Sequence, residues 1–159
     1  MHVSSWQAAY RDILPAEYLA GLQWEKRYEL WQRELIAPSV VGRSTWVLAE
    51  GTAVLGFVST GPARDDDRQR ADAWELYAIY LTEGRWGQGL GRALADVALD
   101  AVPDQVADVS LWVLSGNDLA RRFYERLGFS LDGHEQTATI GDHEVVEVRY
   151  LAERKPGPS

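Results

Sequence analysis

Apolar positions along the chain change their period several times, and each change marks an element. From Ala73 to Leu81 the run AWELYAIYL places Trp74, Leu76, Ile79 and Leu81 close together, which predicts a strand. A turn carrying Gly84 follows, then three glycines at alternate positions, Gly87, Gly89 and Gly91. An amphipathic helix comes next, with Leu90, Leu94, Val97 and Ala98 as its apolar face. Strand, glycine-rich turn and helix start gather main-chain N–H groups with no side chains to block approach, and that combination favours an anion such as a phosphate. A tight structural turn accounts for one or two of the glycines. The spacing is neither the G-x-G-x-x-G of a dinucleotide site nor a P-loop with its Lys-Ser/Thr pair.

Ahead of this unit, Trp6, Ala9, Tyr10 and Ile13 predict a short helix capped by Ser4 or Ser5, broken at Leu14-Pro15 and followed by a second turn or helix at 16–22. Trp24, Tyr28, Trp31 and Leu35 recur with helical spacing up to Pro38; they either pack onto a sheet or wall a substrate groove. Ser44–Glu50 and Val54–Gly61 read as paired strands around Gly51-Thr52. The stretch 62–72, PARDDDRQRAD, is polar throughout and reads as a solvated loop. A metal role for its Asp65 to Asp67 is the weaker alternative, since they match no calcium-loop spacing and no partner histidine is nearby, and no metal site is expected.

Beyond the helix, Val106–Leu114 is a strand apolar on both faces, as in a covered sheet. Asn117 is a natural N-cap for a helix burying Ala120, Phe123, Tyr124 and Leu127, closed by Gly128. Thr137–Ile140 and Val145–Leu151 suggest two antiparallel strands around Gly141-Asp142, with Glu144, Glu147 and Arg149 facing away from the apolar positions. The order of elements predicts an α/β sandwich with a mixed sheet. At 159 residues the chain is most simply one domain, 1–152, with a polar tail at 153–159.

The sequence has no cysteine, which excludes disulfides, thiolate metal sites and a cysteine nucleophile. A formal charge of -8 argues against a nucleic-acid or anionic-membrane partner. Arg85 and Arg92 nevertheless stand in a stretch free of acids, 85–95, a local patch suited to one small anionic ligand. The start, MHVSSWQAAY, has neither a basic region nor an apolar run, and a cytoplasmic protein is expected. His2, His134 and His143 assemble no catalytic constellation, though His134 or Glu135 could reach a substrate groove.

LYAIYLTEGRWGQGLGRAL at 76–94, NDLARRFYERLGF at 117–129 and EVVEVRYL at 144–151 resemble the GNAT superfamily of acyl-CoA-dependent N-acetyltransferases. SWQAAYRDILPAEYLAGL at 5–22 resembles the start of one bacterial branch. The resemblance implies a mixed, mostly antiparallel twisted sheet flanked by helices, with acetyl-CoA as co-substrate. It also implies that backbone groups of Ile79, Tyr80 and Leu81 bond the pantetheine arm. The N–H groups of Gln88, Gly89, Leu90, Gly91 and Arg92 then hold the pyrophosphate beside Trp86 and Gly87, Asn117 touches the pantetheine, and Tyr124 stands at the sulfur. Trp86 occupies the position where the family has Gln or Arg, a change the backbone nest does not depend on. The family's first strand has no counterpart ahead of Trp6: either that edge strand is absent or the natural chain is longer.

Acetyl transfer to an amine requires a neutral amine, a stabilised oxyanion and a proton for the departing thiolate. With both substrates in one groove, direct attack in a ternary complex suffices. By its pattern Tyr124 is either a core aromatic or an acid; the resemblance favours the acid. Glu75, interrupting an apolar strand, is the candidate base or acceptor-binding carboxylate if it faces a wet cleft, and an ordinary exposed strand residue otherwise. Arg85 and Arg92 are candidate phosphate contacts, and Arg121 and Arg122 could reach a 3′-phosphate. The expected function is N-acetyl transfer from acetyl-CoA to a small-molecule or peptide primary amine. The alternatives are a non-catalytic acyl-CoA sensor or scaffold and a nucleotide- or sugar-phosphate-binding domain. Relatives often pair through their last strands, so a homodimer is compatible with the resemblance.

Overall fold

The computed structural model describes residues 1–23, 25–26, 28–29, 32–33 and 41–154. Trp24, Trp31 and Leu35 of the expected aromatic stripe lie outside the described residues; Tyr28 is helical and exposed. Six strands hydrogen-bond in the order β1-β2-β3-β4-β6-β5. They are β1 (Ser44–Glu50), β2 (Ala53–Pro62), β3 (Ala73–Leu81), β4 (Asp108–Leu114), β5 (Ser130–Ile140) and β6 (His143–Glu153). The β3–β4 pair is parallel, while β1–β2, β4–β6 and β5–β6 are antiparallel, so the expected mixed, mostly antiparallel sheet is present. Among the described residues no strand precedes β1. The chain groups into two compact units, Met1–Gly61 with Ala78–Ala101 and Pro62–Tyr77 with Val102–Ser159.

The first unit is built on aromatics. Helix α1 (His2–Ala9) starts earlier than the serines suggested, because Met1 is the N-cap and the Ser4 and Ser5 hydroxyls donate back to the Met1 carbonyl at 2.7 and 3.0 Å. The His2 ring stands 5.3 Å from Phe57 and 4.9 Å from Tyr80, and Trp6 packs edge-on against Tyr10 at 4.9 Å. Pro15 then opens α2 (Ala16–Ala20). Gly56 of β2 is required by close approach: a Cβ there would lie 2.6 Å from the Tyr80 carbonyl oxygen. Helix α3 (Leu90–Asp100) buries Leu94, Ala95 and Ala98, whereas Val97, expected on the apolar face, is 51% exposed. Leu94 and Ala98 are buried as expected, and Ala95 in place of Val97 turns the buried arc by less than one residue's step.

In the second unit, β4 separates two chemistries by alternation. Val109, Leu111 and Val113 are buried on one face, where Leu111 lies opposite Tyr150 of β6 in register. The other face carries Asp108, Ser110 and Trp112, with Glu75 opposite Ser110 and Arg149 opposite Trp112. The stretch 62–72 lies on that polar face, so the loop expected to be solvated is pinned to the sheet by its own charges. It includes a 3₁₀ turn, Asp66–Arg68, and Arg68 is buried. Arg149 likewise does not face away: it is 2% exposed. Helix α4 (Asp118–Arg126) starts as expected, with Asn117 Oδ1 accepting from Ala120 N at 3.1 Å. Strand β5 is seven residues longer at its start than predicted, Ser130 against Thr137, because this mostly exposed edge strand, bulged between Leu131 and Glu135, has no apolar alternation to read. Glu153 still belongs to β6, and Arg154 donates to the carbonyls of Val102 and Pro103 at 3.1 and 2.8 Å; 155–159 lie outside the described residues.

Candidate functional site

The glycine turn of the first unit has the backbone that an anion cradle needs. Gly87 and Gly89 have φ of +72° and +79°, a region costly for any residue with a Cβ. Gly89 is the N-cap of α3, and a Cβ added at either glycine would meet no atom within 4 Å, so the space above the turn is open. Among the described residues, no main-chain N–H from Gly87 through Gly91 donates to a main-chain acceptor outside the helix. The first N–H groups of a helix have no partner inside it, and no acidic residue stands in the first turn of α3 to satisfy them. The result is a concave row of donors at a helix start.

The flanking side chains are already engaged. Trp86 Nε1 donates to the Leu81 carbonyl at 2.9 Å, tying the turn to the end of β3. Gln88 Nε2 donates to the Gly84 carbonyl at 3.1 Å. Arg85 pairs with Glu50 at 2.5 Å, and Arg92 with Asp96 at 3.2 Å, both at the surface. Ile79 and Tyr80 are partly buried on β3, with Tyr80 in the aromatic cluster.

The second unit holds Glu75, Asn117 and Tyr124. Glu75 is 2% exposed, so it is neither in a wet cleft nor an exposed strand residue, and one guanidinium covers it. Arg64 donates from Nη2 to Oε1 at 2.6 Å and from Nε to Oε2 at 3.1 Å, and the Arg64 main-chain N–H reaches Oε2 at 3.1 Å. The Arg64 guanidinium stacks 4.3 Å from the Tyr77 ring centre, and its bond to Glu75 raises its own pKa. Asn117, 7% exposed, uses its carbonyl oxygen as the α4 cap. Tyr124 is 8% exposed, with ring centres 5.5 Å from Phe123 and 6.2 Å from Phe129. Arg121 is committed to Tyr150 and to the Ser115 carbonyl, at 3.1 and 2.9 Å.

Sequence reasoning missed a further cluster on the polar face. Arg149 donates from Nε to Asp132 at 2.7 Å, from Nη1 to Asp65 and Asp67 at 3.1 and 2.8 Å, and from Nη2 to Asp67 at 2.7 Å. Trp112 Nε1 donates to both oxygens of Asp65 at 3.0 Å. The bond from Arg149 brings the Asp67 carboxyl down to about 2, and the Arg149 guanidinium is raised in return. His134 has Nδ1 3.2 Å from Asp132 and Nε2 3.6 Å from Asp67. Asp108 binds both Arg68 and Arg70. Asp65 and Asp67, the weak metal candidates, face a guanidinium instead.

A family model described as the acetyltransferase (GNAT) family matches residues 4–129 of this sequence. The chain belongs to that family. Its members use acetyl-CoA as co-substrate. The chain is 31% identical over 161 aligned residues to a probable N-acetyltransferase of Mycobacterium tuberculosis, covering 99% of this chain and 87% of that protein. It is 35% identical over 118 residues to the uncharacterized N-acetyltransferase YuaI of Bacillus subtilis, covering 74% of this chain and 64% of the relative. The PaiA N-acetyltransferase of Thermoplasma acidophilum, solved in complex with coenzyme A, shares the fold with a TM-score of 0.69 and 19% identity over 96% of this chain and 87% of that one. YncA of Salmonella typhimurium, a putative acetyltransferase solved with acetyl-CoA, shares it with a TM-score of 0.66 and 17% identity over 99% and 90%. Among the described residues no helix is long and apolar enough to cross a membrane.

Proposed function

We propose that this chain transfers the acetyl group of acetyl-CoA to a primary amine by direct attack in a ternary complex. The observation that carries this is the row of main-chain donors at Gly87–Gly91, open above two positive-φ glycines, in a chain of the GNAT family. In this reading the N–H groups of Gln88 to Arg92 hold the diphosphate, with Arg85 and Arg92 released from Glu50 and Asp96 to add charge. Backbone groups of Ile79, Tyr80 and Leu81 bond the pantetheine arm as an added strand would, and Trp86 braces Leu81. Asn117, whose carbonyl oxygen is spent on the cap, offers its amide N–H groups.

The amine nitrogen attacks the thioester carbonyl, the C–S bond breaks, and the Tyr124 hydroxyl gives its proton to the sulfur. A positioned acid contributes about 10²–10⁴-fold. Glu75 receives the amine proton through water or holds the acceptor. Both of its oxygens are occupied by Arg64, so either role requires the fork to open. Glu75→Gln separates the two: loss of kcat marks the base, and a raised KM for the amine marks the acceptor contact.

The test is release of free CoA from acetyl-CoA across a panel of diverse primary amines, with isothermal titration of acetyl-CoA alongside. Tyr124→Phe is expected to lower kcat about a hundredfold on a turned-over amine while acetyl-CoA affinity stays unchanged. Normal turnover in Tyr124→Phe removes the acid assignment. Saturable binding with no CoA release on any amine supports a sensor or scaffold instead.

A further inference from the structure

We infer that the Tyr150 hydroxyl is a positioning group for Tyr124: it pins α4 to β6 and so fixes where the Tyr124 side chain stands. The inference rests on the reading of Tyr124 as the thiolate acid. Tyr150 is fully buried on β6. Its hydroxyl accepts from Arg121 Nε at 3.1 Å and donates to Glu125 Oε1 at 2.8 Å. Arg121 and Glu125 are four residues apart on α4, and residues with that spacing share one helix face. One O–H group therefore bonds both ends of a single helical turn, and Tyr124 lies within that turn.

The ring contacts of Tyr124 are with Phe123 on the same helix and Phe129 just past its end; they do not tie α4 to β6, and dispersion contacts have no preferred direction. Hydrogen bonds weaken steeply once misaligned, so the two at Tyr150 set the axial position of α4. Arg121 is tied again at its other nitrogen, Nη1 donating to the Ser115 carbonyl at 2.9 Å. The chain segment entering α4 and the strand beneath it are thus held by one guanidinium. A phenylalanine would fill the same volume without a polar group to satisfy, and the buried hydroxyl is tolerated only because both partners are present. A helix displaced by 1 Å carries the Tyr124 hydroxyl with it, and a misplacement of that size can cost roughly 10²-fold in rate.

The experiment measures CoA release from acetyl-CoA with hydroxylamine as acceptor, a small nucleophile neutral near pH 7.5, after subtraction of the uncatalysed reaction. It compares wild type, Tyr150→Phe, Tyr124→Phe and the double variant, with a thermal melt of each. Tyr150→Phe is expected to lower kcat about tenfold, inside that misplacement limit, with KM for acetyl-CoA unchanged. In the Tyr124→Phe background the second substitution is expected to cost nothing further. Wild-type kcat in Tyr124→Phe overturns the acid reading and this inference with it. A slow Tyr124→Phe beside an unaffected Tyr150→Phe, or a double variant in which the two losses multiply, overturns the positioning role alone. Should Tyr150→Phe not fold, Arg121→Met with Glu125→Met cuts the same pin from the helix side and is judged by the same outcomes.

Discussion

Arg149 shows how much a single side chain can hold. Four hydrogen bonds from its guanidinium reach Asp65, Asp67 and Asp132, so one cation on β6 gathers the 62–72 stretch and the bulged start of β5. Withdrawing a guanidinium from water is costly, and the forked geometry with carboxylates offsets that cost. Arg149→Met keeps an unbranched apolar stem but leaves three carboxylates around an uncharged side chain. It is expected to lower the unfolding free energy by about 3–5 kcal/mol, the range for breaking a buried pair, read from urea midpoints at pH 7. A loss below 1 kcal/mol would show that water satisfies those aspartates as well as the arginine does. None of this was legible at the residue level. In EVVEVRYL an arginine between valine and tyrosine looks like the outward member of an alternating strand, since its partners lie 17 to 84 positions away. The same holds for Glu75: its place in an apolar strand marked it as unusual, but only the fold shows that Arg64, eleven residues earlier, neutralises it.

At the level of elements the sequence was most readable where a local rule acts alone. Asn117 was recognisable as an N-cap, and Gly87 and Gly89 as positions for an unusual backbone, because capping and positive φ depend on immediate neighbours. Edges were least readable: β5 has little apolar pattern because little of it is buried, and at the edge of the α3 apolar face Ala95 is buried where Val97 was expected. Gly89 permits a test of the donor row that separates shape from stability. No atom lies within 4 Å of a Cβ built there, so Gly89→Ala creates no clash and costs only the positive-φ strain, about 1–2 kcal/mol. The new methyl group stands in the open space where the diphosphate is proposed to approach. The expected outcome is a folded variant whose acetyl-CoA dissociation constant rises at least tenfold, seen by titration calorimetry. Unchanged affinity would place the diphosphate elsewhere and remove the main support for the proposed function.

Across the whole molecule the two units are held together internally by different forces, and acid should tell them apart. The first relies on aromatic and aliphatic packing; its described ion pairs, such as Arg11–Glu83 and Arg92–Asp96, are half-exposed, and such pairs are worth little. The second depends on carboxylates paired with arginines on a polar sheet face. Asp67 is brought down to about 2 chiefly by its bond from Arg149. Burial pushes Asp132 up, but the His134 N–H and Arg149 outweigh it and leave the carboxyl lowered. A carboxyl whose folded pKa lies below its unfolded value of about 3.9 contributes stability that is complete above that value. The contribution is lost as pH falls through the folded value, so for Asp67 the window runs from about pH 4 down to about pH 2. Amide hydrogen exchange followed through this window is expected to lose protection in β4, β5, β6 and the 62–72 stretch before α1, β1 and β2. Asp67→Asn should be less stable than wild type at pH 7 and lose less on acidification, because the group that titrates has been removed. Simultaneous loss in both units, with the same acid response in Asp67→Asn, would mean that the carboxylate cluster does not govern the stability of the second unit.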